Sequence, residues 1–257
     1  PKVLIADQER LERFLPHRGV APDCKLVGVR VEGELPPDVT PWTDLREHGG
    51  SLAELSVDPQ SDACIFYTSG TTGRPKGAQL THLGCVNNLY SLAFANMAFA
   101  AAAQRSRPSQ ETATPSSEAP LQLSLLVVTP LFHVTANNCV AHSATLAGGK
   151  LVHMYKWDAG EALRLIESEK ITNLSGVPVM ARELISHPDF DKYDTSTLKA
   201  LGGGGAQLQP DLVQKIDDQV KTARPGTGYG MTETCGVITS VSADFFVDKP
   251  ESAGPAL

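Results

Sequence analysis

Short apolar, β-branched runs alternate with stretches of helical spacing along almost the whole chain. "KVLIAD" and "CKLVGVR" read as buried strands, and "ACIFYTSG" as a strand running into a polar loop. After the loop, Thr81 can cap a helix through "LGCVNNLYSLAFANMAFAAAA". Further on the alternation is regular. Strands "LSLLVVTP", "KLVHMY", "ITNLSGVP", "LKALGGGG" and "ARPGTGYG" are interleaved with helical patterns near "ANNCVAHSATLAGG" and over "DAGEALRLIESEK", "VMARELISH" and "PDLVQKIDDQV". This order predicts an α/β fold with mostly parallel sheets flanked by helices, because a parallel strand needs a crossover and a helix supplies it. Two stretches fall outside the pattern. The prolines and glycines of "EGELPPDVTPWTDLREHGG" argue against regular structure, and "QRSRPSQETATPSSEAP", Gln104 to Pro120, can bury almost nothing and reads as a mobile surface insertion.

Composition narrows the function classes. With 41% hydrophobic residues over 257 positions the chain can bury a full core. Its 22 basic against 29 acidic residues, net −7, leave no electrostatic footprint for nucleic acid or an anionic membrane, so an anionic ligand must be held locally. "SLAFANMAFAAAA" is shorter than the ~20 apolar residues of a membrane span. Five scattered cysteines, Cys24, Cys64, Cys85, Cys139 and Cys235, lack the spacing of a zinc or redox motif and read as reduced, buried and cytoplasmic. The chain opens on Pro1 without a secretory signal and ends at "SAGPAL", so both ends read as cuts in a longer polypeptide.

Three loops carry candidate chemistry, and ligands of open α/β sheets bind beyond the carboxyl ends of strands. In "YTSGTTGRPKG", Gly70, Gly73 and Gly77 permit close backbone approach, so that N–H groups can converge on phosphate oxygens. Ser69, Thr71 and Thr72 add hydroxyl donors there and Lys76 adds a positive charge. It is not the common nucleotide loop, since Pro75 and Gly77 stand on either side of Lys76 where that loop has Gly and Ser or Thr. The bland reading is a flexible surface turn. In "GGGGAQL", Gly202 to Leu208, four glycines would let a flat group lie on bare backbone, and a plain strand-to-helix connection explains the same residues about as well. In "GTGYGMTET", Gly226 to Thr234, Tyr229 could stack on a base, Thr232 could donate to a phosphate, and Glu233 offers one carboxylate to a divalent cation, or is simply a solvated acid.

Taken together and in this order, the three motifs resemble those of the adenylate-forming superfamily of acyl-CoA synthetases, luciferases and peptide-synthetase adenylation domains. The resemblance covers residues 1–257 as part of the family's large N-terminal domain. Nothing after Gly236 corresponds to its smaller C-terminal lid domain, the hinge or the ribose-binding aspartate. It implies that a carboxylate attacks the α-phosphate of ATP with Mg²⁺ present, giving an acyl-adenylate that a thiol, usually CoA, then captures. By the same resemblance Thr68, Ser69, Gly70, Thr71, Thr72, Gly73 and Lys76 embrace the outer phosphates. Gly205, Ala206 and Gln207 form the adenine turn, where Gln207 replaces the usual Pro or Glu. Gly228, Tyr229 and Gly230 line the purine, Thr232 bonds the α-phosphate, and Glu233 ligates Mg²⁺. Lys76, Thr232 and Glu233 are the implied catalytic group.

Within the superfamily, "TPLFHVTA" resembles the acyl- and aryl-CoA ligases, with His133 where amino-acid-activating domains tend to carry Asp. Without an acid there a substrate ammonium is poorly accommodated, which favours an amine-free carboxylic acid. His133, Val134, Gly204, Gly230 and Met231 are the implied acid-binding residues, although His133 could instead be structural. A medium- or long-chain fatty acid is the first expectation and an aryl acid such as a cinnamate the second. The partners implied are the acid and CoA, with no nucleic acid and no membrane span. A homodimer is compatible with the sequence.

Overall fold

A computed structural model describes residues 1–51, 53–70, 73–106 and 121–257. Among these, two compact units stand apart in their internal contacts, Pro1–Ser56 and Val57–Leu257.

The first unit is a three-stranded parallel sheet of β1 (Val3–Ala6), β2 (Lys25–Gly28) and β3 (Val39–Pro41), with helices α1 (Gln8–Phe14) and α2 (Trp42–Arg46). Leu11, Cys24, Leu26 and Val39 form its core. The Asp7 side chain caps α1 by accepting from Arg10 N. The proline-rich stretch expected to be irregular supplies β3 and α2. Pro41 sits at the end of β3 and serves as the N-cap of α2, where the missing N–H costs little.

The second unit holds the candidate chemistry. Strands β4 (Asp62–Thr68) and β5 (Lys76–Thr81) form an antiparallel hairpin, followed by α3 (His82–Ser106), whose start is capped by Thr81 Oγ1 accepting from Gly84 N at 3.1 Å. The Ser/Pro-rich stretch expected as an insertion begins as the last turn of α3 and from residue 107 to 120 lies outside the described residues. Then come β6 (Ser124–Val127), a π-helical turn over Thr135–Ala141 running into α4 (His142–Leu146), β7 (Lys150–His153), α5 (Ala159–Glu169), β8 (Asn173–Gly176), α6 (Pro178–Ile185), β9 (Ala200–Gly203), α7 (Pro210–Gln219), β10 (Arg224–Met231), β11 (Gly236–Ser242) and α8 (Asp244–Asp248). The large sheet has the order β11-β10-β9-β8-β6-β7, parallel throughout except for the β10–β11 pair. The βαβ expectation therefore holds for the middle of this sheet, while the hairpin and β11 add antiparallel pairs.

Amphipathic helices explain the core. Along α5, Ala162, Leu163, Leu165 and Ile166 are buried on the stripe that a 3.6-residue period creates, and burying each leucine or isoleucine contributes about 1.5–3 kcal/mol. Asp158 caps its first turn and Lys170 closes it in the left-handed conformation. The same core takes Leu184 from α6, Leu212, Val213 and Ile216 from α7, and Leu126, Leu174 and Leu201 from the strands.

Candidate functional site

The carboxyl ends of β9 and β10 open onto a cleft of ≈ 720 Å³. It is lined by Gly202 to Gly205, by Gly228 to Glu233, by His133 and Val134, and by Val237 and Ser240 of β11. The rest of its lining is mostly apolar, with Leu89 and Leu92 of α3, Leu123, Leu125 of β6 and Val140 of the π-helical turn, interrupted by polar groups such as Ser143 of α4.

The four glycines do not all serve one purpose. A β-carbon at Gly202 would fall on the backbone of Gly226, and one at Gly203 (φ +153°) on the carbonyl of Gly176. These two are required by neighbouring strands rather than by a flat ligand alone. Gly205 (φ +81°) is different: a β-carbon there would make only an ordinary contact with Val177 Cγ1 at 3.8 Å, so its left-handed backbone rather than crowding calls for glycine. Ala206 and Gln207 are exposed beside the cleft and do not line it, and Leu208, 1% exposed, anchors the end of the turn in the core.

The "GYGMTET" motif is mostly strand. Tyr229 stands on β10 and is 53% exposed, with a bulge between Tyr229 and Gly230 that re-aims the chain as it leaves the sheet. Thr232–Thr234 form a single tight turn. Thr234 Oγ1 accepts from Met231 N at 3.3 Å and can donate to Met231 O at 3.0 Å or Gly236 O at 3.1 Å. Cys235 then ends the turn at φ +64°. Glu233 is exposed at the rim of the cleft and Thr232 is half-buried beside it.

In the hairpin, Tyr67 pairs with Gly77 and Thr68 with Lys76, so the polar loop is confined to the residues between those strands. Gly70 (φ +64°) and Gly73 (φ +79°) take left-handed conformations, while Thr71 and Thr72 lie outside the described residues. Ser69 is exposed, and Thr68 Oγ1 donates to Lys76 O at 3.4 Å. Lys76 is exposed, makes no ion pair among the described residues and is not part of the cleft wall. Its strand β5 packs against the Thr232–Thr234 turn.

A small apolar cluster fastens these pieces together. Phe66 and Leu80 of the hairpin, Cys85 of α3, Val134 after the "TPLFH" segment and Cys235 after the tight turn bury one another. Val134 is thus a packing residue as well as a cleft residue. His133 is exposed, and its Nδ1 accepts from Thr135 N at 3.2 Å, which leaves Nε2 to carry the proton of the neutral ring. Cys24, Cys85 and Cys235 are buried and Cys64 and Cys139 partly so, all with free thiols. Burial pushes the Cys139 thiol up to about 11. Burial and then the neighbouring Cys85, 4.0 Å away, do the same for Cys64.

One cleft thus brings together a hydroxyl, a carboxylate, an aromatic ring and glycine backbone. One carboxylate at the rim and no group of three metal-ligating side chains among the described residues fit a cation held chiefly by substrate phosphates. An exposed aromatic ring and glycine backbone lining the same cleft are the kinds of surface a purine would use.

Two buried residues behind the cleft wall, bonded to the backbone that follows the Thr232–Thr234 turn, were not singled out by sequence: Asn88 of α3 (4% exposed) and Asn138 of the π-helical turn (0%). The only signal was a polar pair within each of the apolar runs "CVNNLY" and "TANNCV". No helix among the described residues is long and apolar enough to cross a membrane.

Known proteins bear on the same site. The chain is 34% identical over 221 residues to a feruloyl-CoA synthase of Amycolatopsis sp, covering 82% of this chain and 40% of that protein. It is 26% identical over 250 residues to 4-coumarate-CoA ligase 1 of Narcissus pseudonarcissus, covering 97% and 42%. Among solved structures, the long-chain-fatty-acid-CoA ligase of Archaeoglobus fulgidus superposes with a TM-score of 0.74 at 23% identity, covering 99% of this chain and 47% of that one, which speaks to the fold. The chain thus spans about two fifths of the curated relatives it matches. The family model described as AMP-binding enzyme matches residues 1–257, and with the fold and the relatives in agreement, this chain belongs to the AMP-binding enzyme family.

Proposed function

We propose that the polypeptide carrying this chain activates an amine-free carboxylic acid with ATP and passes the acyl group to CoA in the cytoplasm, and that this chain supplies the nucleotide site. The observation that carries the reading is the convergence of Gly205, Tyr229, Thr232 and Glu233 on one cleft with His133. The bare backbone at Gly205 and the Tyr229 ring would hold the purine. Thr232 would donate to the α-phosphate, and Glu233 would hold a Mg²⁺ ion, which when bound neutralises phosphate charge during in-line displacement. Lys76 stands beyond the cleft on the strand packed against the Thr232–Thr234 turn, so the outer phosphates would extend over that turn to meet its ammonium. Displacement at phosphorus needs positioning and charge neutralisation, so no covalent nucleophile is required of the protein.

For the acid we favour a hydroxylated aryl acid. Its support is the aryl names of the two relatives and the mixed lining of the cleft's far end, where Ser143, its hydroxyl enclosed and without a hydrogen-bond partner among the described residues, stands among leucines. A medium- or long-chain fatty acid is the second reading, supported by the apolar remainder of that wall. The test is ATP-dependent pyrophosphate release across hydroxycinnamates, benzoates, fatty acids of graded length and amino acids. Turnover is expected to be highest with hydroxycinnamates and absent with amino acids. Preference for a C12–C18 acid would overturn the aryl assignment, and release stimulated only by amino acids would overturn the amine-free one.

A further inference from the structure

Buried amides are costly unless every polar atom finds a partner, and a brace needed only for stability is better made of apolar groups, as the neighbouring Phe66–Leu80–Cys85–Val134–Cys235 cluster is. Asn88 and Asn138 depart from that economy. Asn138 Nδ2 donates to Cys235 O at 2.9 Å and to Cys85 Sγ at 3.6 Å, and its Oδ1 accepts from Asn137 Nδ2 at 3.2 Å. Asn88 Oδ1 accepts from Val237 N at 2.9 Å, while its Nδ2 donates to Asn138 O at 3.3 Å. The two amides therefore grip the backbone on either side of Gly236, immediately after the turn that carries Thr232 and Glu233.

The grip falls where the backbone most needs it. Cys235 holds a left-handed conformation (φ +64°) without being glycine, a state that persists only where its surroundings impose it. Gly236 is itself cut to fit: a β-carbon there would run into the Asn88 amide and Cys139 Sγ. Asn138 comes from a π-helical turn, a wider winding that inserts a residue where a regular helix would rotate it away.

We infer that Asn88 and Asn138 are positioning residues that set where Thr232 and Glu233 stand at the cleft, acting through Cys235 and Val237. This rests on the reading of Glu233 as the cation-holding residue. The test is calorimetric titration of ATP into the chain at a series of Mg²⁺ concentrations. Asn138→Ala is expected to raise the Mg²⁺ midpoint about 10-fold, in the range seen when groups that orient metal ligands are removed. In a Glu233→Gln background the same change should shift the midpoint no further, because the path through which it acts is already broken. Leu184→Ala, a core truncation in α6 away from the turn, should lower the melting temperature and leave the midpoint alone. Should Asn138→Ala fail to fold, Asn88→Ser, which releases Val237 N, carries the same expectation. A wild-type midpoint in the folded asparagine variant, or the full shift repeated on Glu233→Gln, overturns the positioning role alone. A wild-type chain that binds no ATP overturns the nucleotide reading, and this inference with it.

Discussion

Cys139 lines the cleft and its thiol is pushed up to about 11 by burial, from an ordinary 9.0. A thiol whose pKa is raised by folding contributes stability that is whole below the unfolded value and is lost as pH climbs through the folded one. Unfolding free energy should therefore fall between pH 9 and 11, by on the order of 3 kcal/mol for two pK units. Cys139→Ser removes that dependence, so the difference between the two denaturation curves isolates it from the tyrosines and lysines that also titrate there. Identical pH slopes would contradict the burial of this thiol. The residue scale is also where sequence reading is weakest. Glu233, Tyr229 and His133 were singled out because their types and order match a known pattern. Asn88 and Asn138 were not, because a polar letter inside an apolar run looks the same whether it faces water or a buried carbonyl.

Among the elements, β9 shows most clearly how a strand can look like a binding loop. Its glycines relieve overlap with β8 and β10, so Gly203→Ala, at φ +153° and against the Gly176 carbonyl, should destabilise the protein by roughly 2–4 kcal/mol. Gly19→Ala, which meets nothing within 4 Å, should be nearly neutral. Urea denaturation of the two variants separates these outcomes. Strands β6, β8 and β9 and helices α5, α6 and α7 were readable because burial on both faces or on one stripe writes its period into the letters. β5, "KGAQLT", and β11, "GVITSVS", were not assigned, since glycine, serine and threonine mask the alternation that pairing with a neighbour enforces. The short α1 and α2 escaped for a related reason: five to seven residues hold too few turns for a period to emerge.

At the scale of the molecule, the first motif lies more than a hundred residues before the other two in sequence, and the fold joins the three in two ways. The later two meet on one cleft, and the hairpin that carries the first is tied through a shared apolar cluster to Cys235, which follows the Thr232–Thr234 turn. Sequence order alone foretold neither the cleft's far wall on α3 and β6 nor the position of Lys76 outside it, because both depend on how the hairpin and the large sheet pack. If nucleotide binds the folded state alone, ATP with Mg²⁺ at 100 times its Kd should add about 2.7 kcal/mol of stability. A domain of this size should then melt roughly 5–10 °C higher, a shift that scanning calorimetry resolves. No shift would argue against nucleotide binding by this chain.

The cleft's two ends come from different stretches of chain. Its hydrocarbon end draws on α3, β6 and the π-helical turn, and its glycine-rich end on β9, β10 and the turn after them. Side chains at the first can be exchanged without touching the strand contacts that dictate the second. Such a partition would let substitutions reshape one wall of the cleft while the other keeps its form.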